Sequence, residues 1–507
     1  MDAFEEITAG YATEGGALEL GSVVVDGTVR AQARVRLPLA TLNRHGLIAG
    51  ATGTGKTKTL QLMAEQLSAA GVPVVMADVK GDLSGLSRPG AGGDKVSKRA
   101  AETGDDWQAA GFPVQFLSLG EGGSAVPVRA TITSFGPILL SKVLGLNDTQ
   151  ESTLGLIFHW ADSRGLPLLD TKDLRSVIQH LTGDEGKADL KGLGGVSSAT
   201  AGVILRSLLN LEANGGDTFF GEPELDPADL MRSRDGRGVI SLLELSELQG
   251  NPALFSTFLM WLLAALFHQL PEEGDLEKPK LVFFFDEAHL LFADASKAFL
   301  EQIVQTVKLI RSKGVGVFFC TQLPTDVPNA VLSQLGARVQ HALRAFTPDD
   351  QKALAQTVKT YPTTPHYDLG KALTTLGIGE AVVTVLSEQG APTPVAWTRL
   401  RPPRSLMASI GVDAVKQEAA SSSLAAKYSQ SVDRESAYEM LLAKVAPPAE
   451  AQPQEESAPA ARRKEADDPG LIGQVLGNPA VKSFLRSAGS ALGREITRGI
   501  FGTGRRR

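Results

Sequence analysis

The chain has 507 residues, of which 43% are hydrophobic and 21% charged, and its formal net charge is -7. These values fit a globular protein with at least one large core and exclude a surface that is basic all over, so any nucleic-acid contact must come from a local patch or an assembled pore. The one cysteine, Cys320, excludes an intramolecular disulfide and fits a reducing compartment.

Residues 1–10 are acidic and lack the basic-then-apolar form of a secretory leader, which points to a cytoplasmic protein. Residues 17–40 alternate in polarity around Asp26-Gly27 and predict a hairpin. A short apolar segment, 46–48, then runs into Gly50-Ala51-Thr52-Gly53-Thr54-Gly55-Lys56-Thr57, which fits G-x-x-x-x-G-K-[ST] at every fixed position. Residues 58–70 read as a helix with Leu60, Met63 and Leu67 on one face and Gly71 as its stop. Glycines let backbone N–H groups turn inward around phosphate oxygens, and a helix N-terminus favours anionic charge. Lys56 can reach the β- and γ-phosphates, the Thr57 hydroxyl can join a Mg2+ shell, and Lys58 completes the nucleotide-contacting run. The stretch predicts nucleoside triphosphate binding.

Residues 72–79 form a near-continuous apolar run suited to a buried parallel strand. It delivers Asp78, Lys80 and Asp82 to the edge where open α/β sheets bind ligands. Residues 84–105 read as a long Gly-, Ser- and Lys-rich loop, and 114–119 as a strand. Helical periodicity dominates about 135–235, which predicts a helical insertion. A strand follows at 238–245, then an apolar helix at 254–267, interrupted by Ser256 and Thr257 and too short to span a bilayer. Further strands are expected at 280–285, 315–320, 338–343 and 380–386. Strands alternating with helices predict a parallel-rich sheet covered by helices.

The character changes after residue 404. Residues 405–445 read as a helical extension and 446–469 as a Pro/Ala/Glu-rich disordered linker. Within 470–507, Val481, Phe484, Leu485, Ala488, Leu492, Ile496 and Ile500 fall at helical spacing, flanked by Lys482, Arg486, Arg494 and Arg498. This tethered basic amphipathic helix suits docking on the protein's own core or a neighbouring subunit, or else an acidic lipid surface or nucleic acid.

Hydrolysis is suggested by the apolar strand that ends in Asp286-Glu287. Asp286 would hold magnesium through its water, and Glu287 would polarise the water attacking the γ-phosphate. Gln322, just past the next strand, is placed either to sense that phosphate or to serve as a turn residue. His289 joins the same network or lies on a helix surface. Loose phosphoryl-transfer transition states also want a cation on the γ-phosphate, often an arginine from a neighbouring subunit. Arg311 is the first candidate and Arg338 the second, with Arg344 close behind. Neither a Gln-Arg-x-Gly-Arg element nor the transporter signature Leu-Ser-Gly-Gly-Gln is present, which narrows the type of ATPase, and the missing guanine reader Asn-Lys-x-Asp favours adenine.

Taken together, these residues resemble the HerA/FtsK superfamily of ring-forming ATPases, and within it the YjgR or HerA-like helicase domain proteins. The resemblance is carried by Asn43-Arg44-His45-Gly46-Leu47-Ile48 leading into the phosphate loop, by Met76-Ala77-Asp78-Val79-Lys80-Gly81-Asp82-Leu83, and by Gly215-Gly216-Asp217-Thr218-Phe219-Phe220-Gly221-Glu222-Pro223. Residues 278–292, Thr321-Gln322-Leu323-Pro324 and the basic C-terminus add to it. It implies a RecA-like P-loop NTPase domain over 1–404 that uses ATP and Mg2+, assembles as a hexamer and moves double-stranded DNA through its pore. It also implies Lys56 and Thr57 as loop residues, Asp286 and Glu287 as the acidic pair, Gln322 as sensor and Arg311 acting in trans. Arg88, Lys95, Lys98 and Arg99 are candidate DNA contacts. Only about 50 residues precede the loop, too few for the N-terminal β-barrel with which HerA engages a nuclease. Two other readings stand beside the motor: an ATP-dependent assembly switch acting on a protein or membrane partner, and a phosphotransferase.

Overall fold

The alternating segment near the N-terminus forms β1 (Ala17–Val25) and β2 (Thr28–Pro38). They close through Asp26 and Gly27, with φ of 50° and 71°, the paired positive values a tight hairpin turn demands. The computed structural model of the protein describes residues 3–445 apart from 79, 122, 185, 190–193, 245–251, 275 and 294. The expected linker over 446–469 and basic helix over 470–507 lie outside the described residues.

The next strands are β3 (Gly46–Ala49), β4 (Val74–Asp78), β5 (Val114–Leu119) and β6 (Val126–Val128). A small hairpin of β7 (Ser233–Arg234) and β8 (Arg237–Gly238) precedes β9 (Ile240–Glu244). The remaining strands are β10 (Leu281–Phe285), β11 (Val315–Thr321), β12 (Ala337–Gln340), β13 (Glu380–Thr384) and β14 (Ala396–Leu400). All except β7 and β8 join one 12-stranded sheet in the order β2-β1-β14-β13-β12-β3-β11-β10-β4-β9-β5-β6. From β12 to β6 every neighbouring pair is parallel. From β12 to β2 every pair is antiparallel. The hairpin thus forms the outer edge of a wing, joined to the parallel half through β13 and β14.

The parallel half is apolar on both sides, as such strands must be. Phe283, Phe284, Phe285, Phe318 and Phe319 are fully buried. Phe284 packs on Phe318 and Phe285 on Phe319, with ring centroids 5.4 and 5.3 Å apart. The apolar helix Pro252–Gln269 is a core helix, and among the described residues no helix is long and apolar enough to cross a membrane.

Between β6 and β7 the chain builds the helices Ile132–Val143, Asp148–Ser163, Thr171–Thr182 and Ser198–Ala213. Asn147 with Gln150, and Asp170 with Asp173, form reciprocal capping boxes that fix two of the starts. Helix ends at Ala213, earlier than the periodicity suggested, and the following residues form short 3-10 turns. The Gly215–Pro223 stretch seats Phe219 and Phe220 against Phe135, so it joins the helical block to the core.

One expectation needs correction. Residues 84–105 are not one long loop, because Asp94–Thr103 is a helix on which Val96, Ala100 and Thr103 bury one face. Glycines at 90, 92 and 93 masked that stripe in the sequence. The basic residues of 84–105 are also partly engaged: Arg99 donates to the carbonyls of Ile378, Gly379 and Leu400, and Arg88 pairs with Glu418. Lys95 and Lys98 remain exposed. Strands β6 and β14, and the helix Ala3–Gly10, were not anticipated at all.

Residues 405–445 return across the parallel half. Glu65, on the helix Lys56–Ala69, accepts the N–H groups of Arg404 and Ser405 at 2.7 and 3.1 Å. The helix Val412–Ala420 packs near β5, and Ala437–Val445 packs against Thr171–Thr182. Tyr438 N–H donates to Asp173 there at 2.9 Å.

Candidate active site

Strand β3 ends at Ala49, and the helix after it begins at Lys56. The intervening turn needs glycine at Gly53 and Gly55, whose φ values are 80° and 114°. Gly55 is the N-cap and offers no side chain, so the first amides of the helix lack both an intrahelical and a capping acceptor. A Cβ built at Gly53 would meet nothing within 4 Å, which leaves the bowl of the loop open. An open bowl lined by free amides at a 14-residue helix fits a chain of phosphates.

The loop is tied down on both flanks. Gly50 N–H donates to Thr321 of β11 at 3.2 Å, and Ala51 N–H to Ala342 beyond β12 at 2.8 Å. Gly379, just before β13, donates its N–H to Thr54 O at 3.1 Å. Lys56 Nζ folds over the loop and donates to Gly50 O at 2.6 Å and Ala51 O at 3.3 Å. Thr52 is exposed, while Thr57 is half-buried beside Lys56 at the helix start. Lys58 turns elsewhere: its ammonium donates to Gln61 Oε1 at 3.1 Å and Met407 O at 3.0 Å. Burial pulls that ammonium below its ordinary pKa, against the opposing attraction of Asp82 and Asp78.

Strand β10 brings Asp286 and Glu287 to the same edge, next to β11 and one strand beyond the loop. Burial first, and Glu287 beside it second, push the Asp286 carboxyl above the usual carboxylate range. The attraction of Lys80 opposes them, and a bound cation would favour the charged form further. Asp286 Oδ1 accepts the Glu287 N–H at 3.0 Å. Glu287 itself has φ of 50°, a left-handed backbone that costs a non-glycine residue roughly 1 kcal/mol or more and that clusters at functional sites. Ala288 N–H donates to Cys320 O at 2.8 Å, which locks this turn onto β11.

Two further side chains meet Glu287. Lys80 Nζ lies 3.8 Å from one carboxylate oxygen, and His289 Nδ1 lies 3.4 Å from the other. Lys80 follows β4, the next strand over, so its approach was legible only once the strand order was known. Asp78, at the end of β4, accepts the N–H groups of Gly81 and Leu83 at 2.7 and 2.9 Å and so shapes the turn carrying Lys80. Burial pushes the Asp78 carboxyl up to about 6 and that of neighbouring Glu244 up to about 7.

Gln322 stands exposed just beyond β11. Asp326, which the sequence did not single out, holds this turn by accepting Thr321 Oγ1–H at 2.6 Å and Leu323 N–H at 2.9 Å. Arg311 is not gathered in. It lies in the turn Arg311–Lys313 before β11, at the opposite edge of the sheet, where Asn43 donates to its carbonyl at 3.4 Å. Arg338 points away too, donating to Thr360 O at 2.9 Å with its guanidinium 5.8 Å from the Tyr361 ring centroid. Arg344 is exposed on the segment after β12, at the phosphate-loop edge.

An open sheet with its glycine loop and acidic pair on strand ends of one edge, β11 between them, defines a P-loop ATPase of the RecA-like α/β class. The family described as "Helicase HerA-like C-terminal" matches residues 25–507, and the chain belongs to that family. The fold is similar to the conjugative coupling protein TrwBdeltaN70 in its unbound monoclinic form, with 15% identity, a TM-score of 0.52 and coverage of 81% of this chain and 95% of that one. TrwB in complex with the ATP analogue ADPNP gives 15% identity, a TM-score of 0.53 and coverage of 81% and 96%. TrwB with ADP and Mg2+ gives 16%, 0.51, and 78% and 98%. No curated protein matches the chain.

Proposed function

We propose that the protein is an ATP-hydrolysing, ring-forming motor of the HerA/FtsK type that works on double-stranded DNA. The observation that carries the hydrolysis is Glu287, held in a left-handed backbone beside Asp286, one strand beyond the phosphate loop. TrwB binds ADPNP, and ADP with Mg2+, on a similar fold.

In this reading the loop amides and Lys56 hold the triphosphate. Lys56 swings from the Gly50 and Ala51 carbonyls to the β- and γ-phosphate oxygens, exchanging neutral acceptors for charged ones. Thr57 and Asp286 would hold Mg2+, which would supply neutralisation of the phosphate charge that develops in transfer. Glu287 orients and polarises the attacking water, with Lys80 and His289 fixing its carboxylate. Gln322, on the turn that Asp326 anchors, reports the γ-phosphate. Arg311, at the far edge of its own sheet, serves a neighbouring copy's site in the ring.

The test is ATP turnover at low salt with and without double-stranded DNA, because phosphate contacts weaken steeply as salt rises. Turnover should rise several-fold with DNA and lose that gain at high salt. Turnover indifferent to DNA would overturn the motor and return the assembly switch, which the basic stripe of 470–507 motivates. Flotation of the full chain with acidic liposomes, compared with a chain ending at residue 445, then tests the switch.

A further inference from the structure

His341 lies directly under the phosphate loop and is fully buried. Its own N–H donates to Ala49 O at 2.7 Å, continuing the β12–β3 pairing to the last residue before the loop. A Cβ on Gly50 would sit 2.5 Å from the His341 Cβ, and a Cβ on Gly55 would sit 3.6 Å from His341 Cε1. The imidazole therefore fills the floor from the first glycine of the loop to the last. Its Nε2 lies 2.9 Å from the Thr59 hydroxyl, and that hydroxyl lies 3.3 Å from the carbonyl of Gly55.

We propose that His341 is a positioning residue that sets the curvature of the phosphate loop, acting through Thr59 on Gly55. The Thr59 hydroxyl has one proton, and sending it to Gly55 O leaves its lone pairs free for an Nε2–H donor. The ring also lies within reach of the backbone of Glu380 and of Thr54, which favours its protonated form and opposes the two effects that follow. Burial and the nearby Lys56 ammonium both pull the imidazole down to about 4, so it carries a single N–H at neutral pH. A neutral ring is the form that can sit beside Lys56 without competing for the phosphates. Gly55 has φ of 114° and caps the helix, so a shift of its carbonyl redirects the amides that meet the β-phosphate.

This proposal rests on the nucleotide-binding part of the reading above and on neither DNA nor turnover. It is tested by the affinity of a fluorescent ATP analogue for the full chain and its His341→Leu, His341→Gln, Thr59→Val and His341→Leu/Thr59→Val variants, each with a thermal melt. His341→Leu should weaken binding about tenfold, the scale of one lost hydrogen bond in a pre-organised site. His341→Gln, whose amide nitrogen can replace Nε2 as donor, should recover most of that loss. Thr59→Val should match His341→Leu, and the double variant should be no weaker than either single one. Unchanged affinity in His341→Leu, or losses that add in the double variant, would overturn it. If His341→Leu does not fold, Thr59→Val with unchanged affinity overturns it by itself. Loss of DNA stimulation with these affinities intact would strike the motor and leave this proposal standing.

Discussion

Along the antiparallel wing, charged side chains sit in mutual pairs. Arg399 donates to Glu102 at 2.9 Å and to Glu380 at 3.0 Å, Arg401 reaches Glu19 and Asp105, and Arg34 reaches Glu19. At the C-terminal edge of the parallel half burial outweighs the attraction of nearby Lys58 and Lys80, and the Asp78, Glu244 and Asp286 carboxyls are all pushed above their ordinary range. The wing spends its charge on holding strands together. The parallel half crowds carboxyls with raised pKa next to a loop built for anions, a setting that a bound cation and phosphates would complete.

That contrast predicts separable failures. The largest effect belongs to Lys56→Ala, which should lower nucleotide affinity and turnover by about a thousandfold, roughly 4 kcal/mol, without moving the melting temperature by more than about 2 °C. Gly21→Val should do the reverse. A Cβ there would lie 2.0 Å from the Arg399 carbonyl oxygen in β14, so the wing must part at a cost of about 3 kcal/mol, read by urea unfolding. The folded fraction should bind nucleotide with unchanged affinity. Were Gly21→Val to abolish binding while stability held, the wing would be part of the site and the contrast would fail.

His45 sharpens the boundary from the opposite edge. Its Nε2 lies 2.7 Å from Val307 O, and its Nδ1 accepts Val317 N–H at 3.1 Å, so one neutral ring satisfies two buried backbone groups. His45→Leu should cost about 2–3 kcal/mol of stability by orphaning both, with the phosphate loop undisturbed.

The smallest effect is a pH slope. Burial pushes the Glu65 carboxyl up to about 7 from an ordinary 4.5. The folded chain therefore holds a proton that the unfolded chain releases, and this contribution is full below about 4.5 and lost as pH rises to about 7. His45 and His341, pulled down to about 4, oppose it, contributing above 6.5 and failing as pH falls toward 4. Comparing wild type with Glu65→Gln isolates the first slope: the variant's urea midpoint should fall less between pH 4.5 and 7. An identical slope in both would contradict the assignment.

Much of the parallel half was legible because its strands are continuous apolar runs bounded by chemistry-bearing residues. The 114–119 strand has the bounds expected of it, and the 280–285 and 315–320 strands differ by one residue at one end. Asp286 and Glu287 were placed by that run and by no long-range argument. The wing was harder. Strand β14 reads Ala-Trp-Thr-Arg-Leu, and only its pairing with β1 and β13 makes it a strand. The Asp94–Thr103 helix hid behind a glycine-rich approach and a polar composition. Lys80 near Glu287 and His341 beneath the loop depend on strand order, which local sequence does not encode, whereas Asp326 beneath Gln322 is a local turn contact that went unread. Lys58 shows the converse: adjacency to the motif suggested nucleotide contact, yet its ammonium is held by Gln61 and Met407.

The most direct test of the central claim is steady-state ATP hydrolysis by Glu287→Gln against wild type, with the affinity for an ATP analogue measured on both. The account predicts turnover at least about a hundredfold lower in the variant, because a general base or water-orienting group typically contributes on that scale, with affinity within a few-fold of wild type. Undiminished turnover in a variant that still binds would contradict it and move the catalytic water away from the end of β10.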